Sequence, residues 1–550
     1  MTPQPFISTT HEIPLASAQA VDVLVVGGGI NGAGIARDLS GRGLKVLLTE
    51  KDDLAAHTSS SSTKLIHGGL RYLEYYEFAM VRKSLAEREV LLNSAPHIMW
   101  PLRFVMPHDA SAKSARPVWM IRIGLFLYDH LAKREMLASS TTVDLRSHAT
   151  GKPLKARFKK GFVYSDGWVD DARLVVLNAM DAREHGAEVL TGWRCVDAKR
   201  GPSAWQVQLE NEQGDIRQVT ARALVNAAGP WATRFLNESV HAPKTKSLRL
   251  IKGSHIVVPK MFDHDHAYIF QNPDKRIIFA IPYEGDFTLI GTTDVEYSGS
   301  VDAVTIDPSE VSYLCEQASR YFEKSVRAAD VVWSYSGVRP LLDDESGDPS
   351  AITRDYALEL DTSAAPLLSV WGGKMTTFRK LSEEAADLLA APLNTSRGAW
   401  TRGAILPGGD LATWVTAQTG ESGIKGNVTR EGGFNRFAAA VAQRYPHLSR
   451  QLARRLARGY GTRVDQLLGQ RNGESSAEAM GAEVAPGLFE AELNYLHHTE
   501  WARSAADVLW RRTKLGLHFT AAQRSAVAVW CHTHWPAARS ESQPLVNAWN

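Results

Sequence analysis

The chain has 550 residues, of which 44% are hydrophobic and 22% charged, with 62 Lys+Arg against 60 Asp+Glu. This balance excludes a broad nucleic-acid-binding surface, which needs a concentrated positive field, and no apolar run reaches the ~18 residues that suggest a membrane span. The length calls for about two or three domains.

Residues 1–20 lack the basic start and apolar run of a secretory signal and read as a flexible leader. Cys195, Cys315 and Cys531 show no CxxC spacing, so a disulfide framework or zinc site is not expected, and no metal is assigned.

The first element is VDVLVV, a β-branched run suited to a strand buried on both faces. Gly27, Gly29 and Gly32 then spell G-x-G-x-x-G, helical spacing follows from Ile30 to Arg42, and KVLLT forms a second strand ending at Glu50. The glycines permit a tight turn and close approach of backbone to a pyrophosphate. The helix N-terminus offers unpaired N–H groups, and Glu50 is placed to accept from a ribose 2′-hydroxyl. An acid there disfavours a 2′-phosphate, hence NADP, but leaves NAD and FAD open.

The next segment, Thr58, Ser59, Ser60, Ser61, Ser62 and Thr63, favours FAD. Small hydroxyls and backbone amides in a row suit a polar ligand lying along them, and the apolar KLIHGGLRYLEYYEF that follows is poor company for a flexible spacer. Further on, ARALVNAAGPWA reads as a strand ending in a small-residue turn at Ala227, Ala228 and Gly229. LLSVWGGKMTTFRKLSEEAADLL reads as strand, glycine turn and amphipathic helix. Gly372, Gly373, Lys374, Met375 and Thr376 lie at that helix's N-terminus, where amides can stabilise negative charge on a reduced flavin.

These stretches, with APHIMWPLRFVMPH, WMIRIGLFLYDHL, YSDGWVDDARLV, RLIKGSHIVVP, IGTTDVEY, YSGVRPLLDDES, AITRDYALE and ADVLWRRTKLG, closely resemble the FAD-dependent, aerobic, membrane-associated glycerol-3-phosphate dehydrogenases. The resemblance implies an α/β fold of the D-amino-acid oxidase type: a Rossmann-like FAD domain from residues 21–95, 160–246 and 335–392, and a β-rich substrate cap from 96–159 and 247–334. A helical C-terminal domain over 400–540 completes it. The alternating, β-branched stretch 251–297 agrees with cap strands, and LPGG at 406–409 reads as a linker. The implied FAD contacts add Asn31, Lys64, Leu65 and His67 to those named above. The implied reaction is oxidation of sn-glycerol 3-phosphate to dihydroxyacetone phosphate, with FAD passing electrons to a membrane quinone. The implied location is cytoplasmic, peripheral on the inner face of the cell membrane. A homodimer stays open.

A phosphate dianion needs fixed cations, and the arginine fork suits it. Arg339 in SGVRP and Arg354 in ITRDY flank a turn-rich segment, with Lys374 and Arg71 in neighbouring motifs. Tyr72 and Thr292 can bond substrate hydroxyls. Oxidation also needs a proton acceptor, for which His255 is preferred, with His67 beside the flavin. In RPVWMIRIGLFLYDHLAKR, Trp119, Ile123, Phe126, Leu127 and Leu131 fall on one side among Arg116, Arg122, Lys133 and Arg134. Periodicity fits either a core helix or a basic helix lying on anionic lipid; the family favours lipid. Three alternatives stay open: a related FAD-dependent oxidase acting on glycerol 3-phosphate or an amino or hydroxy acid and making peroxide, an NAD-linked dehydrogenase, and a non-catalytic flavin scaffold.

Overall fold

The computed structural model describes residues 19–109, 116–242, 246–274, 276–343, 355–419, 431–469 and 477–535. Arg354 lies outside them.

The glycine motif opens the first of two large sheets. Gln19–Val26 pairs in parallel with Val46–Glu50 on one side and Ile216–Asn226 on the other, and Glu188–Thr191 and Leu367–Trp371 extend the parallel set. Val23, Leu24 and Val25 are fully buried, as a strand covered on both faces requires. The helix Ile30–Gly41 covers one face and is tied to the helix Asp171–Glu184 by a 2.5 Å Arg37–Asp181 pair.

The second sheet, ten-stranded among the described residues, is the cap. Its core pairings run antiparallel: Leu248–Pro259 lies between Phe287–Gly291 and Trp333–Leu342, and Met99–His108 pairs with Lys160–Val169. Three of its strands cross the boundaries expected from the sequence. Leu65–Ile66, Lys160–Val169 and most of Trp333–Leu342 fall in segments assigned to the FAD domain, yet all three hydrogen-bond within the cap sheet. All are β-forming runs, and nothing local says which sheet completes their ladders. Trp333–Leu342 carries Arg339 to the seam between the sheets.

The C-terminal helices, among them Leu411–Thr419, Arg450–Tyr460, Glu490–Glu500 and Ala521–His534, enclose their own core around Phe437, Val441, Leu456, Leu493 and Leu496. The segment Asp507–Arg512 docks them onto the first sheet. Arg512 makes two 2.7 Å bonds to Asp53 and Arg511 a third of 2.6 Å. Burial would push the Asp53 carboxyl up, but the two guanidiniums outweigh it and hold it down at about 2. Asp53 stands three residues beyond Glu50, so the helical domain braces the loop next to the glycine motif.

Candidate functional site

A cavity of about 300 Å³ opens beyond the C-terminal ends of the parallel strands, where Gly27, Gly29, Asn31, Glu50, Thr58, Ser59, Ala228, Gly229 and Gly373 line it. Gly27 has φ +112°, a left-handed conformation that favours glycine. Gly32 lies beneath it, where any Cβ would overlap the Gly27 carbonyl oxygen. Glu50 is buried and accepts from the Gly28 amide at 2.6 Å and the Asp52 amide at 2.9 Å. Burial pushes its pKa up, while the charge of His57 and the two amides pull against it. Each carboxylate oxygen keeps a free lone pair for a hydroxyl donor. His57, 2.7 Å from Asp52, lies at 4.6 Å against Trp231 on the cavity wall.

Two further observations suit a bound dinucleotide. Asn31 donates to the Gly372 carbonyl at 3.2 Å, while its Oδ1 is buried with no partner. At Gly229 a Cβ would meet nothing within 4 Å.

The serine run folds as a tight loop whose hydroxyls turn largely inward. Thr58 donates to the Val338 carbonyl at 2.7 Å, Ser60 and Ser61 to the His57 carbonyl at 3.2 Å, and Ser62 to Asp171 at 2.7 Å. Ser59 accepts from the Ile30 amide at 3.0 Å. Lys64 is buried and paired with Asp171 at 2.8 Å, and Leu65 is buried in a two-residue strand. Neither lines the cavity. Asp171, in YSDGWVDDARLV, is thus an organiser that sequence reasoning missed, because its partners lie more than a hundred residues away.

On the cap side the structure pairs Arg339 with Thr292, and nearer the glycine turn it sets Lys374 over Tyr72. His255 Nε2 lies 3.0 Å from the Thr63 hydroxyl, and its ring stacks on Tyr335 at 4.7 Å. Tyr335 in turn donates to the Ser62 carbonyl at 2.8 Å. His255 is fully buried and Nδ1 has no hydrogen-bond partner. Burial, then the charges of Arg339 and Lys64, hold its pKa well below 6.5, so the ring is neutral. Arg339 donates to Thr292 at 2.9 Å and pairs with Asp294 at 2.6 Å. The His67 amide donates to the Thr376 hydroxyl at 3.2 Å, joining HGG to GGKMTT. Lys374 sits 5.2 Å over the Tyr72 ring, and Met375 begins the short turn that leads into the helix Phe378–Leu393. Among the described residues Arg71 reaches only Tyr75, at 3.4 Å.

The helix Val118–His130 presents its apolar side outward. Trp119, Ile123 and Phe126 are 61%, 52% and 59% exposed, while Leu125 and Tyr128 are buried on the inner side. Leu131 is half-buried, Arg134 pairs with Asp129 and Arg116 with Glu74. Among the described residues no helix is long and apolar enough to cross a membrane.

A parallel sheet with its glycine turn, a carboxylate on the second strand and an antiparallel cap define a dinucleotide-binding oxidoreductase, and the relatives of the chain make the dinucleotide a flavin. The model of the FAD dependent oxidoreductase family matches residues 22–379, and that of the C-terminal domain of alpha-glycerophosphate oxidase matches 400–532. A glycerol-3-phosphate dehydrogenase of Pseudomonas aeruginosa is 50% identical, covering 96% of this chain and 98% of its own. A D-erythritol 1-phosphate dehydrogenase of Brucella abortus is 48% identical, over 94% and 98%. The crystal structure of a Bacillus halodurans glycerol-3-phosphate dehydrogenase complexed with FAD superposes with a TM-score of 0.70 at 25% identity, covering 96% of each chain. The chain belongs to the family of FAD-dependent glycerol-3-phosphate dehydrogenases, and its cofactor is FAD.

Proposed function

We propose that this enzyme oxidises sn-glycerol 3-phosphate to dihydroxyacetone phosphate and passes the electrons to a membrane quinone. The observation that carries the reading is the meeting of Arg339 and His255, on paired cap strands, with Thr292, which directly follows the strand Phe287–Gly291, beside the loop Thr58–Thr63. Bound FAD supplies the two-electron acceptor for the hydride from C2. His255 takes the hydroxyl proton. It is neutral, and its Nδ1 is the atom without a protein partner. Arg339 meets the phosphate with its fork, aided by Lys374, and Thr292 and Tyr72 orient the hydroxyls. His67 is assigned beside the flavin, next to Thr376. Gly27–Gly29 would hold the pyrophosphate of the bound dinucleotide in the cavity, and Glu50 would accept from a ribose hydroxyl.

Anaerobic mixing with glycerol 3-phosphate tests the reaction: flavin absorbance should bleach, and a quinone analogue should restore it. If oxygen admitted afterwards reoxidised the flavin as fast as the quinone analogue and the electrons were recovered as peroxide, the oxidase reading would be assigned. The Brucella relative favours a second substrate, D-erythritol 1-phosphate, which carries one more hydroxymethylene. A kcat/KM for that phosphate above the value for glycerol 3-phosphate would replace the first assignment.

The outward face of Val118–His130 is assigned to the headgroup layer of anionic membranes, since exposed Trp119, Ile123 and Phe126 offer apolar contact and Arg122 and Lys133 are exposed beside them.

A further inference from the structure

The inner side of the same helix reaches the site. Tyr128, 2% exposed, accepts at its hydroxyl from the Gly68 amide at 2.8 Å. Its oxygen also lies 2.8 and 2.9 Å from the two oxygens of Asp166, one of which takes the phenol proton. Arg88 fixes that carboxylate at 2.5 Å and the Ser165 carbonyl at 3.1 Å. The contact is closely fitted: a Cβ on Gly68 would sit 2.8 Å from the Tyr128 oxygen. Gly68 stands between His67, whose amide donates to Thr376, and Gly69, whose carbonyl receives the Tyr72 amide at 2.9 Å. Two successive amides of the turn are therefore held from different elements, one by GGKMTT and one by the helix Val118–His130.

We propose that Tyr128 is a positioning residue for oxidation of the polyol phosphate, holding the His67–Gly68–Gly69 turn so that His67 and Tyr72 stand in register with the flavin and the substrate. The inference rests on the site reading given above. Without the phenol oxygen, the Gly68 amide keeps only a 3.4 Å approach to Asp166, too long for a good bond. A buried amide left in that state drives the turn to move until it finds a partner. Displacement of reacting groups by about 1 Å is enough to cost up to about 100-fold in rate.

The test compares two reductants on the fully flavinated protein without oxygen. Glycerol 3-phosphate needs an aligned site, whereas dithionite does not. Tyr128→Phe should slow bleaching by glycerol 3-phosphate about 10- to 100-fold, with dithionite bleaching and flavin content unchanged. Tyr164→Phe is the control: its ring lies edge-on to Tyr128 at 6.0 Å and it makes no bond to Gly68. That variant should bleach at the wild-type rate. A ring-fluorinated tyrosine at position 128 keeps the shape but makes the oxygen a weaker acceptor, and should give a smaller slowing even if Tyr128→Phe folds poorly. Wild-type rates in both position-128 variants, equal slowing by Tyr164→Phe, or equal slowing with both reductants would overturn the proposal. A wild-type protein that glycerol 3-phosphate does not bleach would instead overturn the substrate reading.

Discussion

The glycine-motif end of the dinucleotide cavity and the cap-side cluster differ in how far their parts are separated along the chain. Around the glycine motif, Gly28 meets Glu50 across 22 residues and Ile30 meets Ser59 across 29, although Asn31 reaches the opposite wall at Gly372 only across 341. On the cap side, Thr63 meets His255 across 192 residues and His67 meets Thr376 across 309. The first is a local βαβ device that a short sequence can specify. The second exists only after two sheets have closed on each other. Cofactor retention and substrate chemistry should therefore respond to different substitutions.

The largest expected effect lies on the cofactor side. Gly29→Val places branched carbons where even a Cβ would stand 3.0 Å from the Ser59 hydroxyl. Purified protein should be nearly colourless, judged by the ratio of flavin to protein absorbance. Full flavin content in this variant would move the pyrophosphate away from the glycine motif.

Arg339→Ala should spare the flavin and damage the reaction. A charge-assisted hydrogen bond contributes roughly 1.5–3 kcal/mol, so kcat/KM for glycerol 3-phosphate should fall about 10- to 150-fold. Lysine should restore only part of that, since it lacks the fork. Glycerol, which has no phosphate, should be almost indifferent. Equal losses on both substrates would place Arg339 in the chemistry or the fold. The same comparison applied to Arg354 would test its assigned share of the phosphate.

A smaller effect sits at the seam between the FAD domain and the helical domain. His97 is fully buried and neither ring nitrogen has a hydrogen-bond partner. Burial, then Arg173 and Arg458, hold its pKa well below 6.5. Below about pH 6.5 the unfolded state takes up a proton that the folded state refuses, so stability falls with pH by up to about 1.4 kcal/mol per unit for each such histidine. His255 adds to this slope. His97→Gln should flatten the fall in thermal midpoint between neutral pH and pH 5 without changing the activity profile. An unchanged slope would show that His97 is protonated as readily in the fold as outside it.

The smallest effect concerns lipid. Arg122→Glu with Lys133→Glu should weaken recruitment to anionic vesicles several-fold at low salt and little at high salt, because exposed charges are screened. Both residues are exposed, so flavin content should not change. Equal cosedimentation of variant and wild type would remove this helix from the membrane contact.

The sequence by itself determined the glycine turn, the acid at Glu50, the cofactor class and the family, because a βαβ unit places its ligand-binding atoms within one short stretch. It also showed the apolar stripe from Trp119 to Leu127, but not whether that stripe faced a core or solvent; the exposure of Trp119, Ile123 and Phe126 settled that. Only the tertiary structure decided that the Thr58 hydroxyl turns toward Val338 and the serine hydroxyls toward His57 and Asp171. Only it, likewise, put Lys64 in a buried ion pair and joined Tyr128 to Gly68. A hydroxyl or an amide carries no mark of its partner, and the partner is chosen by whichever buried donor or acceptor the closing sheets leave unpaired.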